Sequence, residues 1–120
     1  MTVNYKINEE SVRPWGTWKV IDKGENYVVK KIIVSPMSSL SLQMHNYREE
    51  NWFILKGTAT VTIGEDKFVL CERQKAYIPV KTKHRLENLT ENYIEFIEIQ
   101  TGDKLDENDI IRFNDLYNRL

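Results

Sequence analysis

The chain has 120 residues, 41% of them apolar and 29% charged, with 17 Lys and Arg against 18 Asp and Glu. That is one ordinary globular domain with a real core, and a formal charge of -1 supplies no global field for nucleic acid or an anionic membrane. No window reaches membrane-span length, Met1-Thr2-Val3-Asn4-Tyr5-Lys6 lacks a signal-peptide apolar run, and the single cysteine, Cys71, leaves no intrachain disulfide; a cytoplasmic, reducing setting and a buried Cys71 are expected.

Residues 1–12 are polar and weakly patterned, and are expected to form an arm over the barrel or a neighbour. Arg13-Pro14-Trp15-Gly16 punctuates the chain. Strands are predicted at Thr17–Asp22 and Tyr27–Val34, joined by a turn at Lys23-Gly24-Glu25-Asn26. From Ser39 to His45 the pattern alternates: Leu40, Leu42 and Met44 share one face, and Ser41, Gln43 and His45 the other. Further strands are predicted at Trp52–Leu55 and Thr58–Ile63, then, after a hairpin loop at Gly64-Glu65-Asp66, at Phe68–Leu70, Ala76–Ile78, His84–Leu86 and Ile94–Ile99. Such short strands with frequent turns predict an all-β fold, a sandwich or a closed jelly-roll barrel, over 13–102. The tail 103–120 differs. Ile110, Phe113 and Tyr117 recur near helical spacing, Asp106 or Asn108 could cap, and a short C-terminal helix is predicted there.

Both histidines lie between Gln43 and Asn88. Residues two apart on a strand share a face, so Gln43 presents an amide oxygen beside the His45 imidazole. A short step into the next strand brings Glu50 near, and a closed sheet would bring His84 from a distant strand. The four make an N2O2 set suited to Zn, Mn, Co, Fe or Ni, with coordination positions left for water or substrate. Spacing alone leaves open the plainer reading of packing histidines and a solvent-facing Gln43.

Gln43-x-His45-x4-Glu50-x6-Gly57 resembles the first cupin motif, with Gln43 in place of its first histidine, and Pro79-x4-His84-x3-Asn88 resembles the second. Arg13-Pro14-Trp15-Gly16, Leu40-Ser41-Leu42-Gln43, Thr82-Lys83-His84-Arg85-Leu86-Glu87-Asn88 and Asp109-Ile110-Ile111-Arg112-Phe113 are more specific. They are similar to the C-terminal cupin domain of type II phosphomannose isomerases, often fused to mannose-1-phosphate guanylyltransferase. The resemblance implies a single cupin domain with one divalent metal ion at Gln43, His45, Glu50 and His84. It further implies a homodimer, a sugar-phosphate ligand, and interconversion of mannose 6-phosphate and fructose 6-phosphate. It does not extend to a nucleotidyltransferase. Where the family carries histidines, this chain has Asn46, Tyr47 and Asn51, so a non-catalytic sugar-phosphate-binding cupin, or a cupin isomerase or epimerase for another sugar, stands as the alternative.

Aldose–ketose isomerisation needs a cation for a developing oxyanion and a base near the carbon. Arg48, two residues before Glu50, is the candidate catalytic cation. Lys81, Lys83, Arg85 and Arg119 are candidates for the substrate phosphate, and Arg13 could reach the barrel mouth. Strand alternation turns Glu87 away from His84, which leaves no base assigned.

Overall fold

The computed structural model describes residues 2–114. They form strands β1 (Thr2–Val3), β2 (Glu10–Arg13), β3 (Gly16–Lys23), β4 (Tyr27–Val34), β5 (Leu42–Met44), β6 (Arg48–Lys56) and β7 (Ala59–Ile63). Then follow β8 (Asp66–Leu70), β9 (Lys75–Ile78), β10 (His84–Glu87), β11 (Ile94–Gly102), β12 (Lys104–Leu105) and β13 (Ile111–Asn114). One sheet has the order β2-β3-β4-β11-β6-β9, the facing one β13-β5-β10-β7-β8, and β1 pairs in parallel with β12. Within both large sheets every pairing is antiparallel. The fold is the expected jelly roll. No helix among the described residues is long and apolar enough to cross a membrane.

Period-two alternation builds the interior. On β4 the inward row is Val34, Ile32, Lys30 and Val28; on β11 it is Ile94, Phe96, Glu98 and Gln100; on β6 it is Ile54, Trp52, Glu50 and Arg48. Register aligns these rows. Phe96 lies opposite both Ile32 and Ile54, and Glu98 opposite both Lys30 and Trp52. One end of the barrel is therefore apolar and the other carries buried charge. Asn88, fully buried, closes the apolar end by donating its amide to the carbonyls of Val34, Ser35 and Asn92, while its own oxygen accepts the Thr90 N–H.

Two expectations are corrected. No helix follows residue 106 among the described residues: Asp106 accepts the Asn108 N–H in a turn, and β13 pairs with β5, Ile111 opposite Met44 and Arg112 opposite Gln43. On its other side β5 meets β10 only at Gln43–His84. Pairing this open strand edge outweighs the local helical spacing of Ile110 and Phe113. The rest of the predicted helix, with Tyr117, and the candidate Arg119 lie outside the described residues. Cys71 is exposed, because inward-facing Leu70 ends β8 and Cys71 starts a turn closed by Gln74. The N-terminal segment lies on the barrel: β2 extends the larger sheet, and Tyr5 is 2% exposed.

Gly16 shows why Arg13-Pro14-Trp15-Gly16 ends as it does. Its φ is +150°, and a Cβ there would sit 2.0 Å from the Ile33 carbonyl oxygen. Gly64 also has positive φ, at +60°, but an added Cβ meets only Thr82, at 4.0 Å. Gly16→Ala should therefore cost about 3 kcal/mol and Gly64→Ala about 1 kcal/mol. Urea unfolding midpoints compare the two, and equal losses would contradict the close approach at Gly16.

Candidate metal centre

The polar end of the barrel gathers side chains from both sheets. Gln43 and His84 are cross-strand partners on β5 and β10. His45 follows the end of β5, and Glu50 projects from β6 in the facing sheet. Ligand-capable atoms of His45, Glu50 and His84 all lie within 4.8 Å of one another, and all three residues are buried. Gln43, also buried, lines the same cavity as His45 and Glu50.

Neighbouring groups fix how each side chain faces. Arg48 donates through Nε to Glu50 Oε2 at 2.8 Å, and Trp52 Nε1 donates to Glu50 Oε1 at 2.9 Å. His45 Nδ1 lies against the carbonyl of Asp109, and an Arg48 terminal nitrogen sits 3.1 Å from His45 Nε2. A carbonyl only accepts, so His45 Nδ1 carries a proton, and Nε2 is the ring atom turned inward, between the Arg48 donor and the Glu50 carboxylate. His84 repeats the pattern, its Nδ1 donating to the Thr82 carbonyl at 2.9 Å. Burial pushes His84 below the usual histidine range, against the pull of Glu50, so the ring is neutral. Its Nε2 is buried, has no hydrogen-bond partner, and lies 4.0 Å from Glu50 Oε1. His45 Nε2 is 3.2 Å from Glu50 Oε2.

Burial pushes the Glu50 carboxyl up, yet the Arg48 guanidinium above all outweighs it, and the carboxyl is held well below the usual carboxylate range. Two imidazole Nε2 atoms thus face an ionised carboxylate, and that of His84 has no hydrogen-bond partner. An unpartnered buried nitrogen beside a charged oxygen is costly, and a divalent cation satisfies both. The donor set of His45, Glu50, His84 and Gln43 fits such an ion.

Beyond these four, Lys30, Glu98, Glu107 and Arg112 line the cavity. Lys30 and Glu98 carry a legible signal, a charge in the same alternation as inward Ile32 and Phe96. Glu98 accepts Trp52 Nε1 at 3.2 Å and the Gln100 amide at 2.8 Å. Burial first, then the adjacent Glu50, push its carboxyl up to about 8. Asp109 takes the N–H groups of Asn46 and Tyr47 on its carboxylate, which braces the turn between His45 and Arg48. Arg48 and Arg13 also line the cavity; Lys81, Lys83 and Arg85 do not. Lys81 and Lys83 are exposed, and Arg85 lies on the strand face opposite His84, beside Glu87. Asn51 and Tyr47 are exposed and Asn46 is half-buried, none of them lining the cavity.

A family model described as mannose-6-phosphate isomerase C-terminal matches residues 2–115. Xanthan biosynthesis protein XanB of Xanthomonas campestris pv. campestris is 49% identical over 107 residues, covering 89% of this chain and 23% of its own length. Mannose-1-phosphate guanylyltransferase of Escherichia coli K12 is 42% identical over 116 residues, covering 97% of this chain and 24% of its own. The chain thus spans about a quarter of the length of the curated relatives it matches. In fold, it is similar to the cupin domain of Schizosaccharomyces pombe Cnp3, with a TM-score of 0.70 at 12% identity over 78% of this chain and 69% of that one.

Because the folded pKa of Glu98 lies above the 4.5 of a free carboxyl, its contribution to stability is present below pH 4.5 and lost as pH rises towards 8. The stability of Glu98→Gln relative to the parent chain should rise across that window in chelated protein. Contributions from His84, present in both, cancel. Parallel stability–pH profiles would show that Glu98 is not held protonated.

Proposed function

The chain belongs to the mannose-6-phosphate isomerase C-terminal family, and we propose that it is a metal-dependent aldose–ketose isomerase interconverting mannose 6-phosphate and fructose 6-phosphate. The observation that carries the reading is the convergence of His45, Glu50 and His84, with an unpartnered His84 Nε2, beside a cavity lined by cations. Gln43, His45, Glu50 and His84 would hold the divalent ion, which when bound supplies Lewis-acid polarisation of substrate oxygens.

The remaining work falls to the chain's own residues. Isomerisation moves a proton between C2 and C1 and leaves charge on oxygen in between. Arg48, pinned by Glu50 and next to His45, would offer a permanent positive charge to the negative charge developing on that oxygen. Of the two cavity carboxyls outside the ligand set, Glu98 and Glu107, Glu98 is the one raised towards neutrality, and it is suited to carry the proton. Trp52 orients both carboxylates through one N–H. The alternation that turns Glu50 inward turns Asn51 outward, so the missing family histidine takes nothing from the cavity wall, which favours turnover over binding alone. For the homodimer, the outer face bearing Phe53, Leu55, Tyr77 and Ile99 is the candidate surface.

The test is a coupled assay of protein stripped and reloaded with Zn, Mn, Co or Fe(II), given mannose 6-phosphate. Fructose 6-phosphate should appear with metal, and His84→Ala or Glu50→Ala should lower kcat/KM by at least about a hundredfold. Metal-loaded protein that turns over no faster than Glu50→Ala is not this isomerase.

A further inference from the structure

Glu107 is the one cavity-lining acid on an exposed turn, yet its carboxylate is gripped as though buried. Three donors from three separate stretches converge on it. The Tyr5 hydroxyl donates to Oε2 at 2.6 Å, Lys30 Nζ reaches the same oxygen at 3.2 Å, and an Arg13 terminal nitrogen reaches Oε1 at 3.3 Å. Lys30 is itself 3% exposed, its ammonium 4.2 Å from the Tyr5 ring centroid and 4.0 Å from that of Trp18. The Arg13 guanidinium carbon lies 5.8 Å from the Trp18 centroid. These aromatic contacts hold the two cations in place but leave them short of hydrogen-bond acceptors.

Two cations and a hydroxyl aimed at one point make an anion seat. Arg13, Lys30 and Glu107 line the same cavity as His45 and Glu50. That cavity encloses about 60 Å³, room for about two waters, whereas small-molecule sites run to roughly 300–1,000 Å³. A sugar phosphate therefore enters only if something at the mouth moves. Glu107 stands at that mouth as an exposed residue, in the turn closed by the Asp109 N–H on the Asp106 carbonyl. Its departure would leave Lys30 and Arg13 without the anion they share, a place that a phosphate monoester could take.

We propose that Tyr5, Arg13 and Lys30 form the subsite for the substrate's phosphate, and that Glu107 occupies it as a displaceable internal anion. The assignment rests on the sugar-phosphate reading above and names the end of the cavity that takes the charged group. It differs from the lysines and arginine of 81–85, which stand outside the cavity.

The probe is inorganic phosphate, titrated by calorimetry against the full chain, with mannose 6-phosphate and unphosphorylated mannose as further arms. Arg13→Met and Tyr5→Phe should each weaken phosphate binding, Arg13→Met by at least about tenfold. Glu107→Ala should tighten it by a similar factor. The same variant should melt earlier than the parent without phosphate and recover with it, a recovery that a purely structural role for Glu107 would not produce. If Glu107→Ala does not fold, Glu107→Gln keeps the shape, lowers the charge and carries the same expectation. Phosphate affinity unchanged in Arg13→Met, or unimproved in both Glu107 variants, overturns the subsite. The two readings fail separately. Phosphate binding of the expected pattern without isomerase turnover removes the activity and leaves the subsite, while turnover with Arg13-independent phosphate binding does the reverse.

Discussion

A carboxylate that is 1% exposed must be matched by positive charge and by donors, because an isolated buried ion is too costly to keep. Glu50 is that carboxylate, and the polar end of the barrel is arranged around it. Arg48 and Trp52, its neighbours in the same inward row, supply a guanidinium and an N–H. The two imidazoles point their Nε2 atoms at it, held by main-chain carbonyls on their far sides. With Glu50, His45 and His84 each oriented by a neighbour and one nitrogen left without a partner, the set is a candidate cation site. Its precision comes from strands, as a site on rigid elements requires.

The fold makes this affordable by grading each inward row. Ile94 and Phe96 continue into Glu98 and Gln100, Ile54 and Trp52 into Glu50 and Arg48, and Val34 and Ile32 into Lys30. The apolar half supplies the hydrophobic drive, while the charged half pairs its members across register. Lys30 lies between Glu98 and Glu107 in that sense, and it is the link from the candidate metal centre to the proposed phosphate seat.

Much of this was legible beforehand. The strand over Tyr27–Val34 has the same ends in sequence and structure, since β-branched runs between turn residues act locally. The pairing of Gln43 with His45, the step to Glu50 and the return of His84 followed from alternation plus the cupin spacing; His45, Glu50 and His84 lie close together in the structure, and Gln43 lines the cavity beside His45 and Glu50. What escaped depended on partners far along the chain. Ile110 and Phe113 carried a helical spacing that the open edge of β5 overrode. Lys81, Lys83 and Arg85 were attractive for their nearness to His84 in sequence, but the loop and the strand's alternation place them outside the cavity. Glu107 had no local signal at all; only the meeting of Tyr5, Arg13 and Lys30 gives it meaning.

The central claim is that a closed barrel assembles a divalent-cation site from His45, Glu50 and His84. Cobalt(II) titration with visible absorption tests it most directly, independent of any substrate. The account predicts uptake of one ion per chain with an imidazole–carboxylate spectrum, abolished in His84→Ala. Absence of stoichiometric uptake, or uptake with the same spectrum in His84→Ala, would contradict it.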